Sequence, residues 1–358
     1  MQAPSKHILF TVLDWGLGHA TRSVPVIEEL LQRGMRISLA GEGYSLEVLK
    51  RQFPELPSYP LHGIQVRSKH REPTPLWLLR IAMTMPGQIR NERRQLATLC
   101  ERILPDAIIS DNRYGAWHPT IPSALICHQL NLPTHGLLEP LVQVFYRPYL
   151  NRFSECWIPD VPGNDSLSGK LSKAKLHGTK IAYIGILSRL KAGLKEVSCD
   201  ANDLLILLSG PEPQRGILEQ KLLAELSSKS LRVVLFPGRP PIESDARLPE
   251  SIQVRCKPEV DELSSQLTTA KYIVCRPGYS SLMDLARLNR PARCIPTPGQ
   301  PEQQYLGVIH ANKKRIELRH QHENRLLDHL ESLDECVGWP DTQSNLLNET
   351  LDRFLKTI

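Results

Sequence analysis

Short runs of β-branched and aliphatic residues alternate along this chain with stretches whose apolar residues recur at helical spacing. HILFTVL opens the series at residues 7–13, a helical pattern follows to about Gly34, and MRISLAG, DAIISD, SALICH and ECWIPD come later as further strand-like runs. That rhythm implies βαβ units and a parallel sheet, because parallel neighbours need a crossover connection. From about Gly163 the sequence turns polar and rich in Gly, Ser and Lys, passes one short strand in KIAYIGIL, and restarts with DLLILLSGPEP. The rhythm then repeats through LRVVLFPG, IQVRCK, KYIVCRPG and ARCIPTPG. The pattern predicts an α/β chain of two Rossmann-like domains facing each other across a cleft, residues 1–190 and 191–340. The last segment, 341–358, carries leucines and Phe354 at helical spacing and reads as a closing amphipathic helix.

Length and composition agree with two soluble lobes. The 358 residues exceed what one domain usually holds, and 41% hydrophobic with 23% charged residues is ordinary globular usage. The first apolar run dives straight into a glycine turn, which fits a buried strand better than a signal peptide. Charges or prolines interrupt every apolar run before the ~18–20 residues needed to cross a bilayer. The eight cysteines include no CxxC pair and mostly adjoin aliphatic residues, so buried thiols in a reducing, cytoplasmic compartment are expected, with no zinc site. A net charge of +6 is too modest to argue for a nucleic-acid partner.

Two glycine turns carry candidate chemistry. In DWGLGHATRSVPVIEELLQRG, Gly16 and Gly18 sit where the first strand passes into a helix. Pro25 suits only a first helical turn and Gly34 a C-cap. Glycines let a ligand approach the backbone, and a helix N-terminus favours negative charge. The turn admits three readings: a tight bend only, a dinucleotide site using Glu42, or an acceptor site in which His19 acts as general base beside Arg22. A dinucleotide site wants a third glycine where Thr21 stands, so the residues favour the acceptor site.

The second turn lies in CRPGYSSLMDLARLNRPARCIPTPGQPEQQ. A strand ends at Cys275, a Pro-Gly turn follows, Ser280 and Ser281 can cap a helix to about Leu288, and Asn289 can take the left-handed cap. The amides of Gly278, Tyr279, Ser280 and Ser281 then point at one spot, which is how a helix start holds a diphosphate without a metal. Asp284, one turn in, suits a ribose diol, and Gln303 and Gln304 suit sugar hydroxyls.

These segments, GLGHATR at 16–22 and Cys275 to Gln304, resemble the family 28-like glycosyltransferases of the two-Rossmann-domain (GT-B) type. The resemblance implies a nucleotide-sugar donor, UDP-linked, bound in the C-terminal half and a sugar or lipid-linked acceptor in the N-terminal half, with no further cofactor. It also implies that Asp284 stands where the family places a ribose-binding glutamate, that Gln303 and Gln304 contact donor sugar and ribose, and that His19 matches the histidine after the N-terminal glycine loop. The family's additional glycine loop appears as LLSGPEPQRG, where Ser209 and Gly210 would meet phosphate.

The remaining candidates lie after the third and fourth strand-like runs. DAIISDNRYGAWHP puts Asp111, Asn112, Arg113 and Tyr114 at a strand end, and His128 and Gln129 follow the next strand. Carboxyl ends of strands form the binding crevice in open α/β sheets. Asp111 is therefore expected either to orient His19 or to be the base itself, and His128 to bind acceptor. Residues 67–94 hold seven basic and two acidic side chains among Trp77, Leu78, Met83 and Met85. That stretch reads either as peripheral contact with an anionic membrane or as a solvated helix over a buried face. The expected chemistry is inverting, metal-independent glycosyl transfer. A catalytically silent nucleotide-sugar-binding protein and a sugar-nucleotide epimerase are its rivals on the same fold.

Overall fold

A computed structural model describes residues 5–15, 17–64, 75–132, 139–190, 202–256, 259–340 and 345–358, with backbone alone at 17, 75–82 and 139–141. Two compact units result, one made of 1–187 together with 343–358 and the other of 188–342.

The first unit contains β1 (His7–Val12), α1 (Leu17–Gln32), β2 (Arg36–Gly41), α2 (Gly43–Gln52), β3 (Ser58–Pro60), α3 (Pro75–Ile103) and β4 (Ala107–Asp111). It continues through β5 (Ser123–Ile126), α4 (Glu139–Leu150), β6 (Glu155–Ile158) and β7 (Lys180–Tyr183). The strands form one parallel sheet in the order β3-β2-β1-β4-β5-β6-β7. All residues of β1, β4, β5 and β6 are buried, as expected for parallel strands covered on both faces. Strand order reverses between β1 and β4, so the open crevice at their carboxyl ends is where such a sheet binds ligand.

The second unit repeats the plan with β8 (Leu204–Leu207), α5 (Gln214–Leu226), β9 (Val233–Phe236), β10 (Ile252–Val254), α6 (Val260–Thr269) and β11 (Tyr272–Cys275). It ends with α7 (Tyr279–Arg287), β12 (Arg293–Cys294), α8 (Pro301–Asn312) and β13 (Glu317–Leu318). Its parallel sheet has the order β10-β9-β8-β11-β12-β13, with the reversal between β8 and β11. Leu204, Ile206, Leu218, Leu222, Val233, Val274 and Ile295 form the centre of its core.

The last helix, α9 (Leu346–Leu355), belongs to the first unit. Phe354 meets Trp157 of β6 edge to face at 5.1 Å, Arg353 Nη2 lies 3.0 Å from Glu155 Oε2, and Arg33 of α1 pairs with Asp352. Leu351 and Phe354 are buried, which is the inward stripe that the leucine spacing predicts.

Pro25 differs from its expected place. It lies in the interior of α1, not in a first turn. A proline there forfeits one backbone bond and costs ~3 kcal/mol. Ala20 and Val24 before it and Val26, Ile27 and Leu30 after it are all buried. At ~1.5–3 kcal/mol for each large aliphatic side chain, that continuous face outweighs the missing bond.

Candidate functional site

At the carboxyl end of the first sheet, β4 delivers Asp111 and the first two turns of α1 deliver His19, Arg22 and Ser23. Asp111 is fully buried. Arg22 grips its carboxylate with a fork, Nε to Oδ2 at 2.7 Å and Nη2 to Oδ1 at 2.5 Å. Ser23 Oγ lies 3.2 Å from Oδ2 and 2.8 Å from the His19 carbonyl, and His19 Nδ1 lies 2.6 Å from Oδ1. The Arg22 charge and these hydrogen bonds overcome the opposing effect of burial and hold Asp111 down at about 2. An ionised carboxylate can only accept, so the 2.6 Å contact assigns a proton to His19 Nδ1. Arg22 Nη2, 2.8 Å from the same nitrogen, then acts on the ring as a charge. Burial first, and Arg22 next, push the imidazole below its usual range, against the pull of Asp111. His19 is therefore neutral at neutral pH, with its side chain 14% exposed and no hydrogen-bond partner for Nε2 among the described residues.

The other residues expected at this edge divide into two sets. Gly16 lies outside the described residues, and Gly18 falls within the first turn of α1. Arg22 is 2% exposed and spent on Asp111, so it supports the site and does not face an acceptor. His128 is buried behind it, Nδ1 3.4 Å from Arg22 Nη1. Arg113 and Tyr114 turn into the core, contrary to the expectation that they face a cleft. Arg113 pairs with the buried Glu92 at 2.6 Å, and Tyr114 OH bonds Asn112 Oδ1 and Tyr146 OH, both at 2.9 Å. Glu42, the acid that a dinucleotide site would use, instead accepts from Gly63 N at 2.7 Å and contacts His62 at 3.0 Å. Sequence reasoning missed Ser23 because its hydroxyl looks like any helical serine. Glu92 was hidden among the arginines of α3, where it reads as a surface counter-charge.

The second unit places its candidates at the matching edge. Gly278 is the N-cap of α7, so Ser280 and Ser281 lie inside the first turn and do not cap it. Their hydroxyls make no hydrogen bond among the described residues, and the first-turn amides have no intrahelical acceptors. A Cβ on Gly278 would find only Ser281 Oγ, at 3.9 Å, so the turn is open to a ligand. Ser209 and Gly210 are exposed after β8. Gly210 has φ +102, and a Cβ there would come within 3.4 Å of Thr297 Oγ1, so the loops after β8 and β12 converge. Gln303 is buried and its Oε1 accepts from Thr297 N at 2.8 Å, which makes it a brace for that loop, while Gln304 is partly exposed. Asp284 accepts from Ser188 Oγ at 2.6 Å, and burial pushes its carboxyl up to about 6. Asn289 takes the left-handed conformation, φ +51.

Among the described residues, no three or more His, Cys, Asp or Glu are placed to hold a metal ion, and no helix is long and apolar enough to cross a membrane. The basic stretch lies partly outside the described residues. In its described part, Met83 is 74% exposed and Arg93 stacks on Trp117 at 3.9 Å.

No protein-family model matches the chain. In sequence it is 24% identical over 308 residues to a protein named an uncharacterized glycosyltransferase in Methanopyrus kandleri, covering 80% of this chain and 83% of the relative. Among solved structures, MurG of Acinetobacter baumannii aligns with a TM-score of 0.58 at 16% identity, covering 98% of this chain and 99% of that one. UGT89C1 of Arabidopsis thaliana, complexed with UDP-L-rhamnose, aligns with a TM-score of 0.61 at 15% identity, covering 99% and 95%. The two parallel sheets, each with a reversal of strand order, thus give this chain the two-Rossmann-domain fold of the GT-B glycosyltransferases.

Proposed function

We propose that the chain transfers a glycosyl group from a UDP-linked sugar to an acceptor hydroxyl, with inversion at the anomeric carbon and without a metal ion. The observation that carries this reading is the neutral His19 with Nδ1 fixed on Asp111 and Nε2 left for a substrate. Its Nε2 takes the proton of the acceptor hydroxyl as that oxygen attacks the anomeric carbon. The bond from carbon to the diphosphate oxygen breaks, and its electron pair leaves with the diphosphate. Asp111, low in pKa and fully buried, is the orienting group and the counter-charge for the imidazolium, so the base is His19 and not Asp111. The leaving diphosphate rests on the start of α7 at Gly278 to Ser281, whose helix dipole replaces a metal's charge.

The named activity of the Methanopyrus kandleri relative and the UDP-L-rhamnose held by UGT89C1 support the reaction class and the donor base. Exposed Met83, on the same helix as Arg90, Arg93 and Arg94, supports peripheral contact with an anionic membrane, where a lipid-linked acceptor would be met. The test is release of UDP from a panel of UDP-sugars with EDTA present. Turnover that survives chelation and disappears in His19→Ala is expected. Loss in EDTA with recovery in manganese would refute metal independence, and donor binding without turnover would favour the silent binding protein.

A further inference from the structure

Arg276 follows β11 and immediately precedes the Pro277–Gly278 turn into α7. Its residue is 0% exposed. Nη1 donates to the carbonyls of Ile295 and Pro296, each at 2.9 Å. Nη2 donates to the carbonyl of Gln214 at 3.0 Å and to Gln321 Oε1 at 2.6 Å. One guanidinium therefore ties together the end of β11, the start of α5, the segment after β12 and the segment after β13, all on the second unit's ligand-binding edge.

Every one of those acceptors is neutral. Arg22, Arg113, Arg215 and Arg293 are comparably buried, and each holds a carboxylate: Asp111, Glu92, Glu219 and Glu317 respectively. Among the described residues Arg276 has no carboxylate partner and its Nε has no hydrogen-bond partner. A buried cation without a counter-ion is costly. Burial lowers its pKa only to about 10, so the charge persists at neutral pH. The same arginine stands two residues before Gly278, the N-cap of α7, a helix start whose amides and dipole favour an anion.

We propose that Arg276 is the built-in counter-charge of the diphosphate site, its missing carboxylate being supplied by the bound diphosphate. The inference rests on the second unit being the donor site. Arg276 is a positioning residue: it acts on the anion through the field of its charge and through the loops its fork holds, not by touching the sugar. Its loss should therefore remove the preference for the charged part of the ligand and leave recognition of the base.

Calorimetric titration of UDP, uridine and inorganic pyrophosphate into wild type, Arg276→Gln and Arg276→Lys tests this. In Arg276→Gln, affinity for UDP and pyrophosphate should fall at least tenfold with uridine unchanged. Arg276→Lys, which keeps the charge and loses the fork, should retain the UDP-to-uridine ratio to within about threefold. A folded Arg276→Gln with the wild-type ratio overturns the proposal, as does a folded Arg276→Lys that has lost it, even where the glutamine variant does not fold. Proportional loss of UDP and uridine would mark Arg276 as a loop tie only. Wild-type protein that binds none of the three overturns the donor-site reading and this inference together.

Discussion

Replacing Asp111 with Asn separates the two contributions of the buried carboxylate. Its pKa lies near 2 against 3.8 for an unperturbed group, a difference of about 1.8 pH units or ~2.4 kcal/mol at ~1.36 kcal/mol per unit. Because the folded-state value is depressed, this stabilisation is present above pH ~4 and is lost as pH falls through about 2. Asparagine abolishes it and also removes the carboxylate that Arg22, only 2% exposed, grips with its fork. Removing one partner of a buried ion pair costs ~3–5 kcal/mol, so denaturant unfolding at neutral pH should show a loss of that size. Catalysis should fall further than stability explains. Asn can still accept from His19 Nδ1 but cannot balance an imidazolium, and a loss of roughly 10²–10⁴ in turnover is expected. The acid limb of the pH profile should also move. His19 titrates below 6.5 because burial and Arg22 oppose Asp111, so removing the carboxylate shifts the limb to lower pH. Initial rates of UDP release from acid to neutral pH, on protein checked for folding, give both readouts. A folded Asp111→Asn variant with turnover within about fivefold of wild type and an unmoved limb would refute the assignment of base and orienting group.

Three further outcomes follow from buried geometry. Glu92→Gln leaves Arg113, 1% exposed, without a counter-charge, and should destabilise by ~3–5 kcal/mol in denaturant titration. Gly115→Ala would put a Cβ 2.6 Å from the Ile89 carbonyl and from Glu92 Oε2, and should lower stability by ~1–3 kcal/mol; an unchanged melting temperature would show that α3 yields there. Asp284 has a folded-state pKa raised to about 6, so the wild type should lose up to ~3 kcal/mol as pH rises from ~4 through about 6. Asp284→Asn should flatten that slope while keeping an acceptor for Ser188, and parallel melting curves against pH in the two proteins would refute it.

The fold was legible because fully buried parallel strands cannot disguise themselves: YIVC, AIISD and ECWI are apolar runs of strand length bounded by turns. The His19–Asp111 pairing was legible as a candidate because both residues follow strand ends on either side of the strand-order reversal. Which group is charged was not legible, since that depends on Arg22 closing over the carboxylate from one helical turn below His19. Charged residues were the weakest signal throughout. Arg22, Arg113 and Arg276 look like surface residues in sequence, yet burial takes them into the core, where a carboxylate 89 positions away for Arg22, or only neutral acceptors for Arg276, decides what they do. Pro25 misled for a related reason: local propensity is overridden when an apolar face continues on both sides of the break.

The return of α9 to the first unit has a consequence for the order in which the protein is made. Trp157 of β6 receives Phe354 only after the 155 residues of 188–342 have been synthesised. At ~5–20 residues per second that interval is roughly 10–30 s. During it a nascent chain carries a finished seven-stranded sheet with Trp157 and Glu155 lacking their final partners, while the later unit can complete its own core on emergence. The half that emerges first is the half that matures last. A chain stalled or trimmed before residue 343 would therefore hold a second unit that is complete and a first unit that lacks its closing helix.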